Sequence, residues 1–325
     1  MMEPVNWGIL GAANFAANYM GPAIHAARGA RLAALGTSDP AKADRFSAFA
    51  PDLRVHSSYD ALLSDPDIDA VYIPLPNHLH VEWSLKALEA GKHVLCEKPM
   101  TLQADQFDRL IAARDKSDLL AAEAFMIVHH PQFVRARELV AEGAIGTVRH
   151  VDAVFSYYNA DTGNIRNQAG AGGGGLPDIG VYTFGSVRYV MGEEPQAVPF
   201  AHIDYENGVD TFVQMAAQFP GFTYSAVVSM RLFNRQEVVF HGDKGVLRVT
   251  CPFNAGVHDQ AELSIETAGQ VRRTERFPGV NHYVLQVEAF CRSVRTGEAY
   301  ACPLEFSKGT QIMMDMTFAA GGKGA

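Results

Sequence analysis

Over the first 126 residues, short apolar runs alternate with segments of helical periodicity, and this alternation restricts the fold more than any other feature of the chain. The runs at residues 5–11, 31–36 and 70–74 have the length and composition of buried strands. Strands that alternate with helices form a parallel sheet with right-handed crossovers and helices on both faces. The sequence therefore predicts an α/β fold, with a doubly wound parallel sheet in a domain over residues 1-126.

Other segments of this domain fit the same pattern. Strands are predicted at residues 93–96 and 119–124, and helices at residues 15–28, 41–49, 80–90 and 102–115. Asp39 followed by Pro40 is typical of a helix start, because an Asp side chain accepts from the free backbone N–H groups and proline suits the first turn. Thr101 is predicted to cap the helix that begins at residue 102.

From about Val128 onward the pattern changes to one helix, one strand and then a series of runs with β-type alternation. The predicted helices are residues 131–142, 178–191, 283–295 and 306–318, and the predicted strands are residues 147–157, 211–219, 222–232, 237–240, 246–250, 263–267 and 271–277. This pattern predicts a second, α+β domain over residues 127-325 with a mostly antiparallel sheet. The glycine-rich loop at residues 170–175 is expected to let the backbone approach a ligand closely.

Charge and cysteine content exclude several classes of protein. The net charge is −9, so nucleic-acid binding lacks its main electrostatic contribution. No apolar run reaches the roughly 18 residues of a membrane span, and the first residues lack the pattern of a secretion signal. The four cysteines form no Cys-x-x-Cys pair, which weakens a zinc interpretation and favours free thiols in a reducing cytoplasm. We expect a cytoplasmic protein.

The turn after the first strand has features of a dinucleotide fingerprint. Small residues are needed where the backbone turns sharply and approaches a pyrophosphate at a helix N-terminus. The fingerprint positions are Gly11, Ala13 and Ala16, so only the first is glycine, and a tight strand–helix connection is the alternative interpretation. The residues predicted to contact the cofactor in this turn are Gly11, Ala12, Ala13, Asn14 and Phe15.

The end of the second strand bears on which cofactor is used. NAD-preferring sites place a carboxylate roughly 20 residues beyond the fingerprint, and here that position falls near the neutral Thr37. Asp39 is better explained as a helix cap. Thr37 and Ser38 can donate hydrogen bonds and Lys42 can supply positive charge, which favours NADP, with NAD as the alternative. Lys42 as a solvated helix residue is equally compatible with the sequence.

Polar residues also follow the strand at residues 70–74. Ligands of doubly wound sheets bind at the carboxyl ends of the strands, and the residues predicted to line the cofactor site here are Pro74, Leu75, Pro76, Asn77 and His80. The alternative is that His78 or His80 only caps the next helix. Since no cysteine or carboxylate cluster accompanies the two histidines, we predict no metal.

Two further segments carry charged and proton-exchanging side chains. Glu97, Lys98 and Pro99 follow a strand, where Lys98 can serve as a positioned cation or form a surface ion pair with Glu97. Asp178 and Tyr182 are four residues apart in a predicted helix and so share a face. The tyrosine pKa of about 10 requires a nearby cation for proton transfer near neutral pH, and Lys98 is the candidate. A core tyrosine with Asp178 as helix cap is the alternative.

Taken together, these motifs resemble those of the Gfo/Idh/MocA oxidoreductase family. The resemblance rests on residues 8–11, 76–78, 97–99 and 178–182, and further matching segments are residues 123–126, 130–131, 164–167 and 252–254. It covers nearly the whole chain. Within the family the chain is most similar to the dihydrodiol dehydrogenase, xylose dehydrogenase and glucose–fructose oxidoreductase group, because Tyr182 and Thr37 stand where many relatives carry His and Asp.

The resemblance implies an N-terminal Rossmann domain, a C-terminal domain with a large open sheet, a cofactor pocket between the domains and a cis peptide before Pro99. Lys98 would be catalytic, Tyr182 would exchange the hydroxyl proton, Asp178 would orient substrate or lysine, and Glu97 and Arg166 would contact the cofactor. Candidate substrate contacts are Tyr157, Asn159, His258 and His282.

The function that we expect is NADP-dependent hydride transfer between nicotinamide and an alcohol or carbonyl carbon of a polyol, a sugar such as an aldose, or a cyclic dihydrodiol. A homodimer or homotetramer is expected, without nucleic-acid or membrane partners. The alternative is a catalytically inactive regulator of the same fold that senses a nucleotide or sugar.

Overall fold

The computed structural model describes residues 3–322. The chain divides into two compact units, the first comprising Met1–Met126 and Asn281–Ser307 and the second comprising Ile127–Val280 and Lys308–Ala325. No helix within residues 3–322 combines the length and the apolar character that crossing a membrane requires.

The first unit contains a six-stranded sheet in which every neighbouring pair is parallel. Its strands are β1 (Val5–Leu10), β2 (Ala30–Gly36), β3 (Arg54–His56), β4 (Ala70–Ile73), β5 (His93–Cys96) and β6 (Ala121–Glu123), in the order β3-β2-β1-β4-β5-β6. Since the order reverses between β1 and β4, the carboxyl ends of these two strands mark the position where doubly wound folds bind ligands. The predicted Rossmann-type sheet is confirmed.

Helices cover this sheet and enclose an apolar core. They are α1 (Gly21–Ala26), α2 (Asp44–Ser47), α3 (Tyr59–Leu63), α4 (His80–Glu89) and α5 (Gln106–Ser117). A Leu side chain of α3, Leu62, packs with Val71 and Val94 of the sheet and with Phe107 of α5 in the buried core.

Two local details of this unit differ from the sequence prediction. Thr101 does not cap a helix at residue 102: α5 begins at Gln106, whose side-chain oxygen accepts the backbone N–H of Leu102 at 2.9 Å, and Thr101 itself is buried. The short strand β3 and helix α3 were not predicted, because elements of three and five residues are too short to show a period. The Asp39 cap is confirmed, since its side chain accepts from the Ala41 N–H.

The second unit contains an eight-stranded sheet that is antiparallel except where β10 pairs with β7. Its strands are β7 (Val148–Tyr158), β8 (Ala197–Glu206), β9 (Val209–Phe219), β10 (Phe222–Ser229), β11 (Arg231–Gly242), β12 (Gly245–Val249), β13 (Glu262–Thr267) and β14 (Val271–Arg276). The order is β14-β13-β12-β11-β7-β10-β9-β8. The predicted mostly antiparallel sheet is confirmed, with β8 as an additional strand.

Two helices of the second unit are α6 (Pro131–Ala141) and α7 (Val181–Met191). A wide π-helical turn, Leu176–Gly180, leads directly into α7. Nearly all of α7 is buried, and Tyr224 of β10 donates its hydroxyl to the Thr183 carbonyl at 3.0 Å. The helix that carries Tyr182 is therefore fixed against the sheet.

The last helices are α8 (His282–Thr296) and α9 (Leu304–Gly321). The sequence places residues 281–307 in the 127-325 domain, whereas in the structure they belong to the first unit. The reason is side-chain packing: the rings of Phe290 and Trp7 lie 5.0 Å apart, Trp7 donates to the Cys291 thiol at 3.4 Å, and Glu288 pairs with Arg28 at 2.9 Å.

Candidate active site

The predicted fingerprint turn follows β1 of the first unit. Gly11 has φ +109°, and a Cβ atom there would lie 3.0 Å from a Leu75 methyl carbon and 3.3 Å from the Tyr59 hydroxyl. Its N–H donates to the Gly36 carbonyl at 2.9 Å. Only glycine fits this position, because both the backbone conformation and the surrounding space exclude a side chain.

A helix begins immediately after this turn, with a wide π-helical turn at Ala16–Met20 before α1. Ala12 and Ala13 are half-buried, and Asn14 is exposed. The Phe15 ring packs against Tyr19 at 5.1 Å and against Tyr283 at 5.6 Å. This arrangement presents small side chains and backbone N–H groups at a helix N-terminus, which is suited to an anion.

The segment that follows β2 contains the Thr37 hydroxyl group and the Lys42 cation, five residues apart in the sequence. Thr37 is buried, and its hydroxyl is hydrogen-bonded to the Asp39 backbone at 3.2 Å. Ser38 and Lys42 are exposed, and the Lys42 ammonium lies 3.9 Å from an Asp39 carboxylate oxygen. An ion pair that is this long and exposed contributes little to stability. The Lys42 ammonium group therefore remains accessible to solvent.

Arg45 is a residue that the sequence reasoning missed. Its guanidinium donates to the side-chain oxygen of Asn14 at 2.6 Å and to that of Asn18 at 3.0 Å. Lys42 lies three residues earlier, in the 3₁₀ turn Pro40–Ala43 that leads into α2, where Arg45 lies; residues three apart along a helix are neighbours on its surface. The spacing of these two basic residues is the signal that could have identified Arg45.

The loop after β4 contains Pro74, Leu75, Pro76 and Asn77, and ends at His80. The His80 ring is fully buried between two backbone carbonyls, with Nδ1 2.8 Å from the Pro99 oxygen and Nε2 2.7 Å from the Leu75 oxygen. Burial lowers the pKa of His80 to about 4, against the opposing effect of the two carbonyls. The His80 ring therefore lies between the backbones of two loops of the site and is neutral at pH 7, so it donates its single N–H to one of the two carbonyls.

Glu97 and Lys98 follow β5, and the peptide bond between Lys98 and Pro99 is cis, as the resemblance implies. Tyr72 of β4 donates to one Glu97 carboxylate oxygen at 2.6 Å, and the Lys98 N–H donates to the other at 3.3 Å. Both side chains are half-buried. Glu97 is therefore fixed by a neighbouring strand, and its position defines that of the next residue, Lys98.

Glu123, at the end of β6, is another group that the sequence reasoning did not assign. Its carboxylate is buried and accepts the Met100 N–H at 2.8 Å. Burial raises the pKa of Glu123, while hydrogen bonds and the Lys98 charge act in the opposite direction. Its place at the carboxyl end of a strand, like those of Glu97 and Asn77, was the available signal.

In the second unit, Asp178 is the centre of a polar cluster. Tyr157 donates its hydroxyl to Asp178 Oδ2 at 2.6 Å, and Arg166 Nε lies 2.9 Å from the same oxygen. Asp178 raises the pKa of Arg166 above its ordinary value, and Tyr157 and Tyr182 act in the same direction. The structure therefore brings Asp178, Tyr182, Arg166 and Tyr157 together within one unit.

Tyr182 has apolar neighbours around its ring. It is 7% exposed, with the Phe155 ring at 5.8 Å and the Phe253 ring at 5.7 Å. Burial, and then the Asp178 charge, raise the pKa of Tyr157 far above its ordinary value, so Tyr157 acts as a neutral hydrogen-bond donor. A few polar groups beside apolar and aromatic side chains are typical of sites for small molecules.

Contacts within the protein explain two positions of the glycine-rich loop. A Cβ atom on Gly173 would lie 2.5 Å from the Arg166 carbonyl, and one on Gly174 would lie 2.1 Å from an Asp210 carboxylate oxygen. These glycines are required by contacts within the protein itself. Close packing within the protein accounts for glycine at these two positions, and the close approach of the loop to a ligand stays a prediction.

The remaining candidate contacts are scattered. Asn159 accepts from the Arg231 guanidinium through its backbone carbonyl, and His258 is exposed. His282 is buried at the start of α8 in the first unit, with its ring 4.3 Å from that of Tyr283. Among residues 3–322, no group of three or more His, Cys, Asp or Glu side chains is arranged to hold a metal ion.

Comparison with known proteins identifies the family. Residues 5–125 match a family model described as an oxidoreductase family with an NAD-binding Rossmann fold, and residues 133–248 match the GFO/IDH/MocA C-terminal domain. The chain belongs to the Gfo/Idh/MocA oxidoreductase family. The family resemblance stated from the sequence motifs is confirmed.

Two relatives that match at least nine-tenths of this chain are named for a sugar or a sugar nucleotide. The D-xylose 1-dehydrogenase (NADP(+)) 2 of Haloferax volcanii is 34% identical over 98% of this chain and 98% of its own length. The dTDP-3,4-didehydro-2,6-dideoxy-alpha-D-glucose 3-reductase of Saccharopolyspora spinosa is 36% identical over 91% of this chain and 90% of its own length.

A similar fold is known from a crystal structure of KijD10, a 3-ketoreductase from Actinomadura kijaniata in complex with NADP and TDP-benzene. It has a TM-score of 0.89 and 30% identity, and the match covers 98% of each chain. The predicted architecture of a Rossmann domain and a second α/β domain is therefore shared with a reductase.

Proposed function

We propose that this member of the family is an NADP-dependent oxidoreductase, with NAD as a secondary cofactor, that transfers a hydride between nicotinamide and an alcohol or carbonyl carbon of a sugar (aldose) or a cyclic dihydrodiol. The observation that carries this proposal is the cluster of Asp178, Tyr157 and Arg166 next to Tyr182. It combines a group that can exchange a proton with groups that can bind hydroxyls. A sensor would need the hydroxyl-binding groups but not the proton-exchanging one.

The residues of the first unit fit a nicotinamide dinucleotide. The space at Gly11 admits no Cβ atom, and the helix that follows begins with small side chains, as close approach to a pyrophosphate requires. Thr37, Ser38, Lys42 and Arg45 offer donors and positive charge for a 2′-phosphate, while the Asp39 carboxylate is engaged as a helix cap. The bound cofactor would supply the hydride chemistry.

The chain's own residues would manage the proton and the reacting oxygen. Tyr182 would accept the hydroxyl proton when an alcohol is oxidised and return it when a carbonyl is reduced. Lys98 would lower the pKa of Tyr182 and polarise the reacting oxygen with its positive charge. Asp178 would orient a substrate hydroxyl, with Arg166 beside cofactor or substrate.

The charge of the cluster favours a substrate without a diphosphate. Arg166 pairs with Asp178, and Arg231 pairs with Glu206 at 2.7 Å, so both of these cations are already compensated. A nucleotide sugar brings a diphosphate, which is usually bound by available cations. We therefore infer that free sugars or diols are preferred over the dTDP-sugars of the 3-reductase relatives.

A spectrophotometric screen tests this function. NADPH oxidation would be followed with aldoses, ketoses, dicarbonyls and a dTDP-keto sugar, and NADP⁺ reduction with xylose, glucose and a dihydrodiol. We expect turnover with an uncharged substrate and less with the nucleotide sugar. Tight cofactor binding with no turnover on any substrate would instead support the regulator.

The protein is further proposed to form a homodimer or homotetramer through the eight-stranded sheet. Phe200 of β8 is 48% exposed, on the same strand as the exposed pair His202 and Asp204. A large exposed apolar side chain amid polar neighbours is common at subunit interfaces. Light scattering of the wild type and of Phe200→Asp would test this.

For the location of the protein we propose the cytoplasm. The four cysteines are free and buried, which suits a reducing compartment.

A further inference from the structure

We propose that Asp210 is a positioning residue, whose buried carboxylate fixes the start of the helix that carries Asp178 and Tyr182. The inference rests on the proposed function, since it gives Asp210 a part in the reaction through residues that the proposal places in the site. Asp210 lies on β9, outside every motif that the sequence pointed to.

The contacts of Asp210 are those of a helix cap supplied from another element. Its side chain is almost fully buried, and Oδ2 accepts the Leu176 N–H at 2.6 Å. The Gly175 N–H also donates to this carboxylate. The first N–H groups of a helix have no partner within the helix, and a negative charge is stabilised there by the helix dipole. The Asp210 carboxylate accepts hydrogen bonds from these N–H groups and places a negative charge at the helix start.

The chain makes room for this carboxylate with glycines. A Cβ atom on Gly174, where φ is +135°, would lie 2.1 Å from Asp210 Oδ1. A Cβ atom on Gly175 would lie 3.1 Å from Oδ2, which is tighter than an ordinary contact. The second half of the glycine-rich loop is therefore matched to Asp210, and this match accounts for the position of the loop directly before the helix.

Asp210 anchors the segment that carries the proposed active-site residues Asp178 and Tyr182. Asp178 lies within the wide turn Leu176–Gly180, and Tyr182 follows as the second residue of α7. One Asp178 oxygen has to meet Tyr157 at 2.6 Å and Arg166 at 2.9 Å. Hydrogen bonds tolerate only a few tenths of an ångström, so a shift of the helix start by about 1 Å would break both.

Three variants test the proposal. Asp210→Asn keeps the shape of the side chain but replaces one acceptor oxygen with an NH₂ group, which cannot accept a backbone N–H. Gly175→Ala keeps a normal helical backbone, since Gly175 has φ −69°, and presses on the carboxylate. Gly170→Ala is the matched control from the same loop, because nothing lies within 4 Å of its added Cβ atom.

We expect Asp210→Asn to lower kcat by about 10- to 100-fold, as misplacement of reacting groups by about 1 Å does. The Kd for NADPH, measured by fluorescence titration, should stay within about twofold of wild type, because all of the proposed cofactor contacts except Arg166 lie in the other unit. Gly175→Ala should lower kcat in the same direction by less, and Gly170→Ala should match wild type. A purely structural role would instead lower the melting temperature and leave kcat of the folded enzyme unchanged.

Wild-type kcat and KM in a folded Asp210→Asn protein would overturn the proposal. If that variant does not fold, the pair Gly175→Ala and Gly170→Ala decides, and equal kcat values would overturn it. If the wild type turns over no substrate, the proposed function fails. The positioning claim is then tested by crystal structures of Gly175→Ala and wild type: a longer distance between Asp178 Oδ2 and Arg166 Nε supports it, and an unchanged distance contradicts it.

Discussion

The two units hold their proposed catalytic side chains in different ways. In the first unit, Lys98 follows a strand of the parallel sheet, and its loop is held by side chains that lie at the same edge of that sheet, such as the His80 ring beside the Pro99 and Leu75 carbonyls. In the second unit, Tyr182 and Asp178 depend on side chains from distant parts of the chain, namely Tyr157, Arg166 and Asp210.

This difference concerns how each site is assembled. A parallel sheet brings the carboxyl ends of its strands to one edge whatever side chains they carry, so Gly11, Asn77, Glu97 and Lys98 gather by topology. A cluster held by side chains exists only if every partner is present. We therefore expect the cluster of the second unit to be more sensitive than the strand ends of the first unit to substitutions of residues that do not touch the substrate.

The largest effect is expected from Lys98→Met. Removal of the cation should lower kcat at saturating cofactor by about 10²–10⁴-fold, the usual contribution of positioned proton transfer. Lys86→Met is the control, because Lys86 forms an exposed pair with Glu82 in the same unit. A loss smaller than tenfold would remove Lys98 from its proposed role.

The next-largest effect is the dependence of stability on pH, which we expect to have opposite signs in the two units. Burial lowers the pKa of His80 from 6.5 to about 4, so the unfolded state binds more protons between these values and the first unit loses stability as pH falls. Burial raises the pKa of Asp210 from 3.8 to about 6, so the folded state binds more protons and the second unit loses stability as pH rises through this range.

Each of these pH effects should amount to about 3 kcal/mol, from about 1.4 kcal/mol per pKa unit. Differences between wild type and His80→Gln or Asp210→Asn isolate the single groups. Both tryptophans, Trp7 and Trp83, belong to the first unit, so urea unfolding followed by tryptophan fluorescence reports on His80. Hydrogen exchange of β9 reports on Asp210. Slopes of the same sign in both units would contradict the assignment.

A smaller effect is expected from Arg45→Ala. If Arg45 binds the 2′-phosphate, the variant should raise the KM for NADP⁺ about tenfold, the equivalent of about 1.4 kcal/mol for one charge-assisted contact, and leave the KM for NAD⁺ unchanged. Arg109→Ala, at an exposed position of α5, is the control. An equal change for both cofactors would show that Arg45 only supports the fold near Asn14.

The sequence was most informative where the periodic pattern and the strand ends determine position. The parallel sheet, the mostly antiparallel sheet and the Asp39 cap follow from local patterns. Short elements such as β3 were missed because three residues give no period, and the place of α8 in the first unit depends on long-range packing between Phe290 and Trp7.

The candidate site shows the same division. Asp178, Tyr182 and Lys98 lie in motifs that can be recognised, whereas Asp210 is a single acidic residue outside these motifs, whose contacts appear only when the chain is folded. Arg45 lies between these cases, since its spacing from Lys42 is visible but its contact with Asn14 is not. The contact between the glycine-rich loop and Asp210 was not predicted, because Asp210 is distant in sequence.

The central proposal is that Lys98 and Tyr182 serve one chemical step. A double-mutant cycle on kcat with Lys98→Met, Tyr182→Phe and the combined variant tests it most directly. The account predicts that the combined variant is about as slow as the slower single variant. Losses that multiply, so that each substitution has its full effect in the presence of the other, would contradict it.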